Sequence, residues 1–373
     1  MIKPERKPRA NYPSDIVLFL ITLALLSIGI VMVFSASSVS ARAVFGDTYY
    51  FLKRQLVWAG CGIIAMIITM QIDYNNWKKL SLPAFILTLL LLAAVLMPGL
   101  GVAIRGSRRW ISIGFISFQP SEIAKITTVL FMANFLSERI GKIHKFSSGL
   151  LAPLIVTGIV FGLIVLEPDF GTAGTILVVS VLMLFAAGTR ILHLSSLVAL
   201  GVPAVYAMSR AAPYRAERFL AFLHPWDDPL GSGFHIIQSL LALGSGGLFG
   251  VGLGRSRQKF LYLPMQHTDF IFAIIGEELG FVGAASVLVL YFLFAWRGLR
   301  ITIATPDTFG KLLAIGITTM IIFQAIINIG VVSGALPITG ITLPLVSSGG
   351  SSLVTTLAAI GVLLNISKHS ALR

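Results

Sequence analysis

Long apolar runs alternate with short polar breaks along nearly the whole chain. The runs approach the roughly 20 residues that a helix needs to cross a bilayer core. They lack the alternating segments of about ten residues that mark a transmembrane β-strand. The pattern predicts an all-α polytopic membrane protein with about ten spans. The predicted spans are Ile16–Phe34, Leu56–Ile72, Leu80–Leu100, Ser121–Leu136, Leu150–Leu166, Thr172–Ala187, Leu194–Met208, Phe270–Trp296, Leu312–Val332 and Leu353–Ile366. The last is short and begins inside "SSGGSS". Residues 1–373 read as one integral membrane domain, with a basic tail over 1–14 and a long outer loop over 209–266 between the seventh and eighth spans. No composition shift splits the chain, and no repeat of about 20–50 residues is present.

Composition agrees with this. Mean hydropathy is +0.91, with 56% hydrophobic and only 12% charged residues, against about 25% charged in a soluble domain. The single cysteine, Cys61, lies in an apolar run and reads as a small buried residue. The six histidines show no zinc-type spacing. The basic start leads into an apolar run long enough to remain as an anchor, without a signal-peptide cleavage site.

Charge orients the chain. With the N-terminus cytoplasmic, the inner segments hold Lys3, Arg6, Lys7, Arg9, Lys78, Lys79, Arg139, Lys142, Lys145, Arg190, Arg297, Arg300, Lys311, Lys368 and Arg373. An even number of spans returns the C-terminus to the cytoplasm. The other cations then lie outside: Arg105, Arg108 and Arg109 after the third span, and Arg210, Arg215, Arg218, Arg255, Arg257 and Lys259 after the seventh. A positive outer cluster opposes the usual orientation rule. It suits an anionic lipid head group such as a pyrophosphate; ordinary loop solvation or contact with bulk anionic lipid is the plainer explanation. No nucleic-acid site is indicated.

The outer loop is structured in its pattern. "GFHIIQSLLAL" places Phe234, Ile237, Leu240 and Leu241 on one helical face, as in a helix lying along a membrane surface. "GSGGLFGVGLG" supplies turns and matches neither a dinucleotide fingerprint nor a Walker A loop. With no ATP site in view, any reaction must run downhill on its own substrate.

Ionisable residues in a span are expensive and point to function. Glu122 and Lys125 share a helix face and can pair, either as an ordering ion pair or as part of a site. Glu277 and Glu278 lie roughly 12 Å along the helix from Asp269 and read as structural partners of arginine or backbone groups. Asp269, beside His267 and Thr268, stands at the membrane–water boundary. A carboxylate there can act as a general base or as a helix N-cap. "EPDFGT", with Glu167 and Asp169, is a tight outer turn. "LPITGITLPLVSSGGSS" is an outer re-entrant segment, tolerated at that depth where irregular backbone lines a cavity.

Five segments together resemble the SEDS family of bacterial shape, elongation, division and sporulation proteins. They are "RGSRRWISIGFISFQPSEIAK", "EPDFGT", "HPWDDPLGSGFHIIQSLLALGSGGLFGVGLGRSRQKFLYLP", "HTDFIFAIIGEELGFVG" and "ITGITLPLVSSGGSSL". "GLGRSRQKFLYLP" and "GITLPLVSSGGSS" are more similar to the FtsW and SpoVE branch than to the RodA branch. The chain departs from the pattern at Ser348, where a tyrosine often stands, and at Met265-Gln266, where an acidic residue is frequent.

The resemblance implies a ten-span SEDS fold in the bacterial cytoplasmic membrane. It also implies peptidoglycan glycosyltransferase activity on lipid II at the extracytoplasmic face. The partners it implies are a class B penicillin-binding protein, other divisome membrane proteins and membrane lipid. The family's essential acid falls on Asp269, its loop Arg and Trp on Arg109 and Trp110, and its fourth-span pair on Glu122 and Lys125. Asp169, Arg215, Arg218, His267, Thr268 and Ser348 complete the candidate substrate-binding set. Asp269 would deprotonate the GlcNAc 4-hydroxyl, which attacks the MurNAc anomeric carbon and expels undecaprenyl pyrophosphate with inversion. The cations would neutralise the leaving group. A divalent cation, Mg2+ or Mn2+, could share that task, although the sequence shows no dedicated metal site. Two other readings use the same residues: a lipid II flippase, which would depend most on Glu122, Lys125, Glu277 and Glu278, and a scaffold that only recruits the crosslinking enzyme.

Overall fold

A computed structural model describes residues 12–104, 107–113, 116–210, 218, 220–259 and 264–370. Its helices are α1 (Ile16–Phe45), α2 (Tyr50–Gln71), α3 (Tyr74–Leu96), α4 (Pro120–Glu138), α5 (Leu151–Leu166) and α6 (Phe170–Ala186). There follow α7 (Ile191–Arg210), α8 (Phe234–Ser245), α9 (Ile271–Ala304), α10 (Thr308–Val332) and α11 (Gly350–Ser367). Every predicted span falls on one of these helices. Six of them, α1, α2, α3, α9, α10 and α11, are long and apolar enough to cross a membrane.

Local chemistry sets the helix ends. Asp15 caps α1 by accepting from the Leu18 amide at 2.9 Å, and Gly46 closes it in the left-handed conformation at φ 71°. Asp307 caps α10 through the Gly310 amide at 2.9 Å. Helix α9 is interrupted at Gly280, whose φ of 67° and ψ of −166° fall outside helical space. The long loop before α9 uses that break. Val251 and Gly252 donate to the Glu277 and Glu278 carbonyls at 3.0 Å, and Phe281 donates to Gly247 at 2.9 Å.

The bundle centres on α11, which packs along α2. Contact is close because a side chain is missing: a Cβ on Gly361 would stand 2.0 Å from Thr69 Oγ1. Thr69 Oγ1 also meets the Ala358 carbonyl at 2.9 Å. Small residues that bring helix backbones together are a main source of packing energy between membrane helices. At one end of the bundle the chain's two extremities meet. Tyr12 N donates to Lys368 O at 2.8 Å, Asp15 N donates to Ser367 Oγ at 2.9 Å, and Arg297 Nε donates to Asp15 at 2.9 Å.

One expectation is corrected. The fold is not wholly α: a three-stranded antiparallel sheet, β1 (Gly101–Ile104), β2 (Ser107–Ile113) and β3 (Ile116–Phe118), follows α3. Trp110, Ile111 and Ile113 in "RRWISI" favour a strand, and α3 ends at Leu96, before the predicted Leu100. Helix α8 buries Ile237 and leaves Leu240 and Leu241 of its predicted face exposed. It buries Ile236, Ile237, Ser239 and Ala242 against α9 and α10, with Ser239 Oγ donating to the Val332 carbonyl at 2.7 Å, and leaves Leu241 49% exposed.

Candidate active site

Asp269 lies in the turn that opens α9 and is half-buried. The N-cap position of the helix is Phe270. The turn is built on Met265, a non-glycine residue in the left-handed region at φ 60°. Its carbonyl accepts from Thr268 N at 3.0 Å and Phe270 N at 3.4 Å. Such backbone costs about 1–3 kcal/mol and persists where the surroundings over-determine it.

The surroundings here are the re-entrant segment between α10 and α11. Ser348 N donates to the His267 carbonyl at 2.9 Å. Ser347 Oγ donates to the Thr268 carbonyl at 2.6 Å. Asn328 Nδ2, on α10, donates to the Asp269 carbonyl at 2.7 Å and to the Ile341 carbonyl at 2.7 Å. Three consecutive carbonyls are thus held from one side. The carboxylate itself faces Gly340, at whose position a Cβ would stand 3.7 Å from Asp269 Oδ2. The His267 ring packs on Phe51, with centroids 4.3 Å apart.

A second group lies at the start of α4. Pro120 occupies the first turn and Glu122 follows, at the positive helix end. Glu122 and Lys125 are both buried and pair at 2.9 Å. Lys125 Nζ also donates to Gln324 Oε1 at 2.7 Å. The amide of Gln324 continues to the Thr342 carbonyl at 3.0 Å.

The third group is the turn between α5 and α6. Asp169 caps α6, accepting from Thr172 N at 3.2 Å, and it takes a further bond from Gln119 Nε2 at 2.9 Å. Arg109 reaches this turn from β2: Nε donates to the Glu167 carbonyl at 2.9 Å, Nη2 donates to the Pro168 carbonyl, and Nη1 stands 4.0 Å from Asp169. Its side chain stays 24% exposed. Glu167 is fully buried and neither carboxyl oxygen has a hydrogen-bond partner. Burial first, and then the charge of Asp169, push its carboxyl up to about 8, against a smaller opposing pull from Arg109.

Not all predicted residues converge. Strand alternation puts Trp110 on the face of β2 opposite Arg109. Arg218 is exposed in the loop between α7 and α8, and Arg215 lies outside the described residues. Glu277 and Glu278 do meet backbone groups, but their side-chain partners are serines and a lysine rather than arginine. Arg257 N donates to Glu277 at 2.8 Å, Ser256 Oγ donates to Glu277, Ser35 Oγ donates to Glu278 at 2.6 Å, and Lys259 stands 3.5 Å from Glu278. Together they fasten the outer loop to α9. Sequence reasoning missed Gln324 and Asn328. Their signal was present, as two neutral amides one turn apart in an apolar span, but the search for ionisable groups passed over them. Among the described residues, no three His, Cys, Asp or Glu side chains cluster as a metal site.

The arrangement is that of a membrane bundle with a carboxylate seated on a re-entrant segment, and comparison places it. The model of the FtsW/RodA/SpoVE family of cell cycle proteins matches residues 16–372. The chain belongs to this family, on its FtsW and SpoVE side. It is 49% identical over 356 residues to stage V sporulation protein E of Bacillus subtilis, covering 95% of this chain and 97% of that one. It is 44% identical over 367 residues to a probable peptidoglycan glycosyltransferase FtsW of Trichlorobacter lovleyi, covering 98% and 96%. Among solved structures, a chain from a peptidoglycan synthase complex that coordinates polymerization and crosslinking superposes with a TM-score of 0.79 at 34% identity, covering 95% of this chain and 97% of that one. Rod shape determining protein RodA of Thermus thermophilus superposes at 0.72 with 31% identity, covering 96% and 98%.

Proposed function

We propose that this protein is a peptidoglycan glycosyltransferase that polymerises lipid II at the outer face of the bacterial cytoplasmic membrane, with Asp269 as its base. The observation that carries the assignment of the base is the seating of Asp269. Asp269 is half-buried and rises from a turn whose carbonyls are held by α10 and the re-entrant segment.

The acceptor's GlcNAc 4-hydroxyl gives its proton to Asp269. Its oxygen bonds to the donor's MurNAc anomeric carbon as the bond to pyrophosphate breaks. The electron pair leaves with undecaprenyl pyrophosphate. An α-linked donor and a β-1,4 product mean a single inverting displacement; a covalent route would need a second carboxylate about 5 Å away as nucleophile. The outer cations, including the exposed Arg218, Arg215 and the partly exposed edge of Arg109, favour the growing negative charge of the leaving group. Any divalent cation at this site would lean on the substrate's phosphates, the common mode for Mg2+.

Ten spans with both termini cytoplasmic fit the helices and the meeting of Tyr12 with Lys368 at one end of the bundle. That orientation puts Asp269, the Glu167 turn and the long loop outside. A class B penicillin-binding protein of the divisome or of a related machine is the partner that would crosslink the strands. The transport reading has less support, because Glu122, Lys125, Glu277 and Glu278 are all engaged in pairs or with the outer loop.

The test is lipid II polymerisation by the purified protein with its class B partner, the partner's own site blocked, comparing wild type with Asp269→Ala and Asp269→Asn. Glycan strands from wild type and none from folded variants are expected. Strands from Asp269→Ala at the wild-type rate would remove Asp269 as the base.

A further inference from the structure

Gln324 and Asn328 are two neutral amides one turn apart on α10, 3% and 1% exposed. A buried amide in a membrane span is unfavourable unless it is bonded. Both are bonded, and each has its orientation dictated by its partners. Gln324 must turn its oxygen to the Lys125 ammonium, 2.7 Å away, and its nitrogen to the Thr342 carbonyl, 3.0 Å away. Asn328 must turn its nitrogen to two carbonyls, those of Asp269 and Ile341, both at 2.7 Å. Its Oδ1 is left buried without a partner. A residue that forgoes its acceptor bond to make two donor bonds is placed for those donors.

The two amides complete a continuous path. It runs from Glu122 through Lys125 to Gln324, on to Thr342 and its neighbour Ile341, and through Asn328 to the main chain of Asp269. Adjacent carbonyls of the re-entrant segment are gripped by adjacent turns of one rigid helix. That fixes the segment in register with the turn that carries Asp269 and with Gly340 beneath its carboxylate.

We propose that Gln324 and Asn328 are positioning residues: they tie the buried Glu122–Lys125 pair and the re-entrant segment to the main chain of Asp269, and so set where its carboxylate meets the acceptor hydroxyl. This rests on the reading of Asp269 as the base. It also gives the Glu122–Lys125 pair a task that needs no contact with substrate. Misplacement of a reacting group by about 1 Å costs rate without costing binding.

The experiment is steady-state lipid II polymerisation by the complex with the class B partner, partner site blocked, for Asn328→Ala, Asn328→Ser, Asn328→Asp, Gln324→Ala and Lys125→Ala. Asp269→Asn is the control for the underlying reading. Asn328→Ala and Gln324→Ala are expected to lower kcat roughly 10- to 100-fold, with KM within about threefold, since only the transition-state geometry is lost. Asn328→Ser keeps one donor and should recover part of kcat. Asn328→Asp keeps the shape but sets a carboxylate against two carbonyls, and should recover none. Gln324→Ala and Lys125→Ala act on one path, so their double variant should lose far less than the product of the two single losses. Wild-type kcat in Asn328→Ala, or a loss wholly in KM, overturns the proposal while an inactive Asp269→Asn leaves the base in place. An active Asp269→Asn instead overturns the base reading. If Asn328→Ala does not assemble with the partner, Asn328→Ser and Gln324→Ala decide by the same criteria.

Discussion

The carboxylate of Asp269 is seated on Gly340: a Cβ at that position would stand 3.7 Å from Oδ2, and Gly340 itself holds a φ of 74°. A Cβ there would make ordinary van der Waals contact, so it is the left-handed conformation that restricts the site to glycine. A left-handed non-glycine residue costs about 1–2 kcal/mol, and relief would shift the backbone under the carboxylate. Gly340→Ala is expected to lower kcat for polymerisation roughly 10- to 100-fold while the protein still folds and binds its partner. Steady-state kinetics on the purified complex check this. Unchanged kcat would mean that the re-entrant backbone does not seat the carboxylate.

Arg109 clamps the turn between α5 and α6 through two carbonyls, a grip that needs the planar guanidinium fork. Arg109→Ala and Arg109→Lys should therefore lower stability alike, by about 1–3 kcal/mol, seen as a lower Tm in detergent. A lysine that restores both Tm and polymerisation would make Arg109 a simple cation for the leaving group instead.

Glu167 makes the stability of the protein depend on pH. Its carboxyl titrates at about 8 in the fold against 4.5 in the unfolded chain. Below pH 4.5 both states hold the proton and the residue is neutral to stability. Between 4.5 and about 8 the folded state binds the additional proton, so stability falls as pH rises; above about 8 the loss is complete and flat. Glu167→Gln removes the titration. The Tm advantage of the variant over wild type should grow from pH 5 to 8 and then level off, read by differential scanning fluorimetry across that range. A constant difference between the two proteins would mean that Glu167 is ionised throughout.

Glu122 and Lys125 separate stability from activity. Glu122→Ala strands a buried ammonium and should cost about 3–5 kcal/mol. Replacing both residues by methionine should restore most of that, because a buried ion pair is often no better than an apolar pair of similar volume. Polymerisation should nonetheless stay impaired in the double variant, since the Lys125–Gln324 bond is gone. Wild-type turnover by the double variant would assign the pair to folding alone.

Much of this protein is legible along the chain, for a physical reason: hydrocarbon solvent demands long apolar helices, so hydropathy alone locates the helices. The position of Asp269 just before an apolar helix, the Glu122–Lys125 spacing on one helix face and the irregular segment before α11 are also local properties. What hydropathy could not foresee depends on contacts between distant segments. The β-sheet after α3 is too short to stand out against apolar runs, and the buried face of α8 was decided by docking on α9 and α10. The grip of Arg109 on the turn depended on where Glu167 and Pro168 lay. The roles of Gln324 and Asn328 appear only in three dimensions. A neutral amide in a span announces a need for partners, and only the tertiary structure shows that those partners are Lys125, Thr342, Ile341 and the main chain of Asp269.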